Sequence, residues 1–186
     1  MKKATMSGGA LNRILEATKT FQSKNNRNAA YNYIRLEFHS DDDEVIAVAL
    51  DGHRMSVEHA VAKSEEDFIV YVHGNVKLPK YSTVHIELVD NEVILRCDGY
   101  VFGYQQPNTD NVAYIDWKGV IPEGEPKFKI GFNGDYLLSA LQAAKTSVGG
   151  TYKTPVVLEF RSSIEPVVLR TNKHDVKIVL PVRIKD

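Results

Sequence analysis

Apolar and polar positions alternate with period two in three separated stretches, Leu36-Glu37-Phe38, Ile86-Glu87-Leu88 and Leu158-Glu159-Phe160. In a strand that period sends the apolar side chains to one face and the glutamate to the other. Each stretch opens a longer unit of the same design. The first has residues 34–38, an acidic turn through 41–44, residues 45–48, Asp51-Gly52, and a short run at 55–59. The second has 84–88, a turn at Asp90-Asn91, 93–96, Asp98-Gly99, and 100–104. The third has 156–160, a turn through Ser162 and Ser163, 167–170, Asn172-Lys173, and 176–180. Strand-length apolar runs punctuated by Asp, Asn, Ser and Gly predict antiparallel strands joined by tight turns. Matched turns in three copies point to a repeated sheet motif.

Two helices interrupt the repeat. Leu11, Ile14, Leu15, Ala17 and Phe21 share one face at period 3.6, with Ser7 as the candidate cap and Gly8-Gly9 expected to weaken the first turn. Tyr136, Leu137, Leu141, Ala144 and Val148 do the same before the third unit, capped by Asn133 or Asp135 and stopped at Gly149-Gly150. The equivalent place before the second unit, residues 74–81, holds Pro79 and too few apolar positions, so an extended loop is expected there. Residues 105–127, rich in Pro, Asn, Asp and Gly, form the linker candidate. The predicted fold class is α+β: three helix-plus-antiparallel-sheet units with the middle helix lost.

The chain carries 23 basic and 24 acidic side chains, so no global field draws it to nucleic acid or to a membrane. Its single cysteine, Cys97, cannot form an internal disulfide, which fits a reducing compartment. There is no apolar run of membrane-spanning length and no signal-peptide pattern after Met1-Lys2-Lys3, so a soluble, cytoplasmic protein is expected. The six histidines, at 39, 53, 59, 73, 85 and 174, fall into no zinc or metalloprotease spacing. No Gly-rich phosphate loop is present, and residues 41–44 read as a solvated hairpin turn rather than a metal site. An enzyme is not expected, nor is a cofactor.

Four stretches resemble the bacterial DNA sliding clamp, the β subunit of DNA polymerase III. Leu50-Asp51-Gly52-His53-Arg54-Met55 resembles a segment of that family's middle domain. Residues 115–122 (Ile-Asp-Trp-Lys-Gly-Val-Ile-Pro) resemble the linker between its middle and last domains. Residues 130–138 resemble the start of its last helix, and 179–184 its closing segment. The resemblance implies a DNA-clamp-like fold of repeated half-domains: 1–114 like the middle domain, 115–126 a linker, and 127–186 like the second half of the last domain. A first domain and half of the last would then be missing, and the sheet edges left open would favour a homo-oligomer.

The resemblance also implies a role in DNA replication as a processivity factor, with a hydrophobic pocket for linear peptides of the polymerase or clamp-loader type. Carried over by motif, the pocket would use Gly52, His53, Arg54, Met55, Ile115, Val120, Asn133, Tyr136, Ile164, Leu180, Pro181, Val182 and Arg183. Apolar walls, an adaptable methionine, a rigid tyrosine and two arginines suit a short peptide anchor. Leu180, Val182 and Tyr136 read equally as core positions, and His53-Arg54 as a polar turn. Non-specific contact with double-stranded DNA is implied for Arg13, Lys19, Lys24, Arg27 and Lys145, with Lys153 beyond them, a spacing that any solvated helix face also shows. The alternative is a structural or virion-associated β-rich protein that keeps the clamp fold without binding DNA or peptide; an uncharacterised hydrolase is a third reading.

Overall fold

The structure, a computed structural model, describes residues 1–24, 26–109, 114–147 and 155–184. The expected helix stop at Gly149-Gly150, together with Val148 and Lys153, lies outside the described residues. The chain forms two compact units, Met1–Trp117 and Lys118–Asp186.

In the first unit β1 (Lys2–Ser7) leads into helix α1 (Gly8–Thr18). The first repeat follows as β2 (Ile34–His39), β3 (Glu44–Leu50) and β4 (Met55–Ser64). Then come β5 (Phe68–Val72), β6 (Thr83–Val89), β7 (Glu92–Cys97) and β8 (Tyr100–Gln105). All eight strands join one antiparallel sheet in the order β5-β2-β3-β4-β1-β6-β7-β8. β4 runs five residues past the expected end at residue 59 because its far end pairs with β1, Ala4 opposite Ser64 and Met6 opposite Ala62.

β1 and β5 have no counterpart among the expected strands, and together they decide the topology. β1 precedes the first repeat yet pairs along its whole length with β6 of the second, Lys3 opposite Glu87. β5 precedes the second repeat yet pairs with β2 of the first, Phe38 opposite Phe68 with the rings stacked at 4.7 Å. Each repeat thus lends its leading strand to the other, and the two are locked around one core. That core takes Leu11, Ile14 and Leu15 from α1, Leu36 and Phe38 from β2, and Ile86 and Leu95 from the second repeat.

The empty helix slot is filled by an extended segment, as expected. Val76 and Leu78 enter the core where a helix face is missing. The Asn12 side chain donates to the Leu78 carbonyl at 2.7 Å and accepts from its N–H at 3.0 Å. Gly8 and Gly9 donate to the carbonyls of Ser82 and Lys80, each at 2.9 Å. A Cβ on Gly8 would stand 2.2 Å from the Pro79 carbonyl oxygen. This glycine, which looked like a weakness in the helix, is what lets the loop lie against it. Ser7 caps α1 as expected, accepting from Ala10 N–H at 3.1 Å.

The outer face of the first repeat carries a second, smaller core in which Trp117 covers Ile46 and Val48. Glu37 points away from the main core, as the alternation predicts, but it is buried beneath this cover. It accepts from the Trp117 indole N–H at 2.8 Å and pairs with Arg35 at 2.7 Å.

In the second unit α2 (Gly134–Ser147) packs on the three-stranded sheet β11-β10-β9. These strands are β9 (Val157–Glu159), β10 (Val167–Arg170) and β11 (Val176–Val179). Val167, Leu169 and Val179 pack with Leu137, Ala140 and Leu141 of the helix. Beyond β11 the chain end turns beside the segment that leads into α2, where Gly131 bridges Val182. No helix among the described residues is long and apolar enough to cross a membrane.

Candidate functional site

The expected pocket residues fall into both units. Gly52, His53, Arg54, Met55 and Ile115 belong to the first; Val120, Asn133, Tyr136, Ile164, Leu180, Pro181, Val182 and Arg183 belong to the second.

In the first unit, Asp51 to Arg54 make the turn between β3 and β4. Gly52 has φ +90°, a conformation that a residue with a Cβ rarely adopts. Asp51 Oδ1 accepts from the N–H groups of His53 and Arg54 at 3.1 and 3.2 Å, a local clasp that shapes the loop. Arg54 Nε donates to Asp51 Oδ2 at 2.9 Å and its terminal nitrogen to the Thr20 carbonyl at 2.7 Å. The guanidinium also lies over the Phe21 ring, 5.1 Å from its centroid. The Arg54 bond, reinforced by the His53 N–H, holds the Asp51 carboxyl below the usual range. Arg54 is therefore a fixed positive group.

A cleft of about 880 Å³ opens beside this turn, and it is polar. Lys19, Lys24, His53, Arg54 and His73 line it together with Asp51. Sequence reasoning assigned Lys19 and Lys24 to DNA contact and His53 and Arg54 to the peptide pocket. The fold brings the four to one polar cleft, where Arg54 pairs with Asp51 and Lys19 with Glu16. Met55 turns elsewhere, packing against the small core beneath Trp117. Ile115 is exposed between Tyr114 and Trp117, both of which are anchored on the sheet. Burial of Tyr114 pushes its phenol well above the usual range.

Of the remaining candidate DNA contacts, Arg13 is held by Glu58 at 2.8 Å and by the His59 carbonyl at 2.5 Å. Lys19 pairs with Glu16 at 2.6 Å. Lys24, Arg27 and Lys145 are exposed.

In the second unit Asn133 is the helix cap. Its Oδ1 accepts from Asp135 N–H at 3.0 Å and from Tyr136 N–H at 3.2 Å. The cap places Tyr136 in the first turn with its side chain outward, 66% exposed. Along the chain end, the alternation that sends Val179 into the core turns Leu180 out, 71% exposed. Val182 N–H donates to the Gly131 carbonyl at 2.9 Å, which holds this stretch in an extended form with Val182 half exposed. Tyr136, Leu180 and Val182 are thus surface groups of their unit and not core. Val120 and Ile164 are exposed as well, Ile164 on a turn that Ser162 Oγ shapes by accepting from Ile164 and Glu165 N–H. Pro181 is half-buried and Arg183 exposed. Gly131, which sequence reasoning placed in the motif but not among the pocket residues, supplies the anchor for Val182. Its signal was the lack of a side chain, since a Cβ there would sit 3.0 Å from Ile184 Cγ1 and 3.2 Å from the Val182 carbonyl oxygen.

No protein-family model matches the chain, and no curated protein sequence does. Solved structures do. A putative DNA polymerase III β subunit from Eubacterium rectale superposes with TM-score 0.82 at 16% identity, over 97% of this chain and 50% of that one. The β subunit from the DNA polymerase of Streptococcus pyogenes gives 0.81 at 18% identity, over 96% and 50%. The Helicobacter pylori β clamp, in a structure with a DNA ligase peptide bound, gives 0.65 at 17% identity, over 92% and 49%. The chain has the fold of the bacterial sliding clamp and spans about half the length of these relatives.

Proposed function

We propose that this chain is a sliding-clamp-like, non-enzymatic binding protein of DNA replication, acting in the cytoplasm and holding partner proteins through short linear peptides. The observation that carries the reading is the exposure of Tyr136, Leu180 and Val182 on a unit with the clamp fold. Large apolar groups held outward on ordered backbone are what a peptide anchor requires, because covering them removes apolar area from water at about 25 cal/mol per Å². Tyr136 offers a rigid face with a polar tip, and Arg183 can meet a carboxylate or carbonyl of the peptide. In the first unit the exposed His53, beside an Arg54 held by Asp51 and the Thr20 carbonyl, offers a polar edge to the same class of ligand.

The proposal includes homo-oligomerisation and a sequence-independent DNA contact. Arg13, Lys19, Lys24, Arg27 and Lys145 would supply the phosphate contacts. Such a contact weakens steeply as salt rises; an affinity unchanged by salt in a titration would remove this part of the reading.

The peptide part is tested with a fluorescent linear peptide of the clamp-binding type. It should bind the native chain and fail to bind Tyr136→Ala combined with Leu180→Ala. Absence of binding to the native chain would leave a structural β-rich protein as the better reading, which draws its support from Arg54 being occupied by Asp51, Thr20 and Phe21.

A further inference from the structure

The second unit is built like one repeat of the first, and its described residues hold no counterpart of the strand that the other repeat supplies there. In the first unit the strand before each repeat leaves its own triplet and pairs with the opening strand of the other, β1 on β6 and β5 on β2. In the second unit β9 is the edge of a three-stranded sheet, and among the described residues no strand takes the place that β5 takes beside β2. Among the described residues, the segment before α2, residues 128–132, is bridged on one side, by Gly131 to Val182. That bridge matches the one in the first unit. Thr5 pairs with Lys63 two residues before the cap Ser7, and Gly131 pairs with Val182 two residues before the cap Asn133.

We infer that a second copy of this chain supplies the missing strand, each copy laying residues 128–132 against β9 of the other. The register follows from the caps. Lys3 lies four residues before Ser7 and pairs with Glu87; Lys129 lies four residues before Asn133, and Glu159 holds the place of Glu87 in its triplet. Lys129 of one copy then faces Glu159 of the other, Ile130 faces Leu158, and Phe128 faces Phe160. The last pair repeats Phe68 on Phe38, which stack at 4.7 Å in the first unit. The glutamates also match in their cross-strand arginines: Arg96 lies 3.4 Å from Glu87, and Arg170 lies 3.0 Å from Glu159.

The side chains that this pairing would cover are open in the single chain. Phe128 is 49% exposed, Val157 52%, Leu158 38% and Phe160 42%. Phe128 and Phe132 gather near Phe160, ring centroids 6.2 and 6.5 Å away, with no backbone hydrogen bond between these segments among the described residues. An open strand edge with a complementary charge and an apolar row is a template for another strand. Because the exchange is reciprocal, it closes at two copies.

The test is the mass of the full chain in light scattering, with two charge reversals. The native chain should run at twice 20.9 kDa. Lys129→Glu and Glu159→Lys should each weaken association about tenfold or more, since each puts like charges opposite at both junctions. An equimolar mixture of the two variants should regain the native mass, because both junctions then pair opposite charges. A monomeric native chain, a dimer indifferent to both reversals, or a mixture that stays dissociated would each overturn the inference. A chain carrying both Lys129→Cys and Glu159→Cys serves if the reversals disturb folding. Oxidation should give a covalent dimer on a non-reducing gel, with Cys97 buried and out of reach. A link formed within one chain would show that the segment closes on its own β9 and would end the proposal.

Discussion

The Gln106 side chain stands in for a strand at the edge of the first unit's sheet: its amide accepts from Tyr71 N–H at 2.7 Å and donates to the Tyr71 carbonyl at 3.0 Å. Gln106 follows β8, and Tyr71 lies in β5, the opposite edge of the eight-stranded order. One side chain thus joins the two ends of the curled sheet, and β5 does not present a bare edge at this point. Gln106→Ala leaves both Tyr71 groups without their partner, at a cost of about 1–3 kcal/mol. A urea midpoint lowered without a change of slope would show it. Gln106→Glu should not restore the pair, since its second carboxylate oxygen would face the Tyr71 carbonyl, acceptor against acceptor.

Gly8 tests the packing of the loop that replaces a helix. Helix propensity alone favours Gly8→Ala by roughly 1 kcal/mol at an interior position. With the Pro79 carbonyl 2.2 Å from the new Cβ, the substitution should destabilise instead. Thermal unfolding of the variant gives the sign directly.

Trp117 is the chain's single tryptophan, so its fluorescence reports on the cover over Glu37. Trp117→Phe keeps an aromatic ring but removes the N–H donor from a buried carboxylate, with an expected loss of about 1–3 kcal/mol. Glu37→Gln, measured by denaturant unfolding with intrinsic fluorescence, should shift the emission of the native state because the indole partner loses its charge.

Arg54 holds the Asp51 carboxyl below its ordinary 3.8, chiefly through their side-chain bond. A depressed carboxylate contributes stability above its unfolded value, and that contribution is lost as pH falls through the lower folded value. The window therefore lies in acid, from near 3.8 downward, and neutral pH leaves the clasp intact. In an NMR titration Arg54→Ala should move the Asp51 midpoint upward; an unmoved midpoint would mean that the pairing is not made in solution.

Leu11 is fully buried where α1 meets the sheet. Leu11→Ala should cost about 2–5 kcal/mol, the range for a leucine deletion that leaves a cavity. Calorimetry of the variant checks this value.

What the sequence by itself determined is local. Period-two alternation marked the strand triplets, period 3.6 marked both helices, and Pro79 marked the empty helix slot, because these signals depend on neighbours within a few residues. The capping roles of Ser7 and Asn133 were legible for the same reason, although Asp135 was an equal candidate until Asn133 Oδ1 was seen to accept both amides. Tertiary structure alone decided where β1 and β5 pair, because a polar start such as Lys2-Lys3 carries no alternation, and the partners Glu87 and Leu36 lie far along the chain. It decided that Glu37 is covered, since its partner Trp117 is 80 residues away. It also decided that Tyr136, Leu180 and Val182 face solvent: an apolar residue in a strand or helix looks the same in sequence whether its face meets a core or waits for a partner.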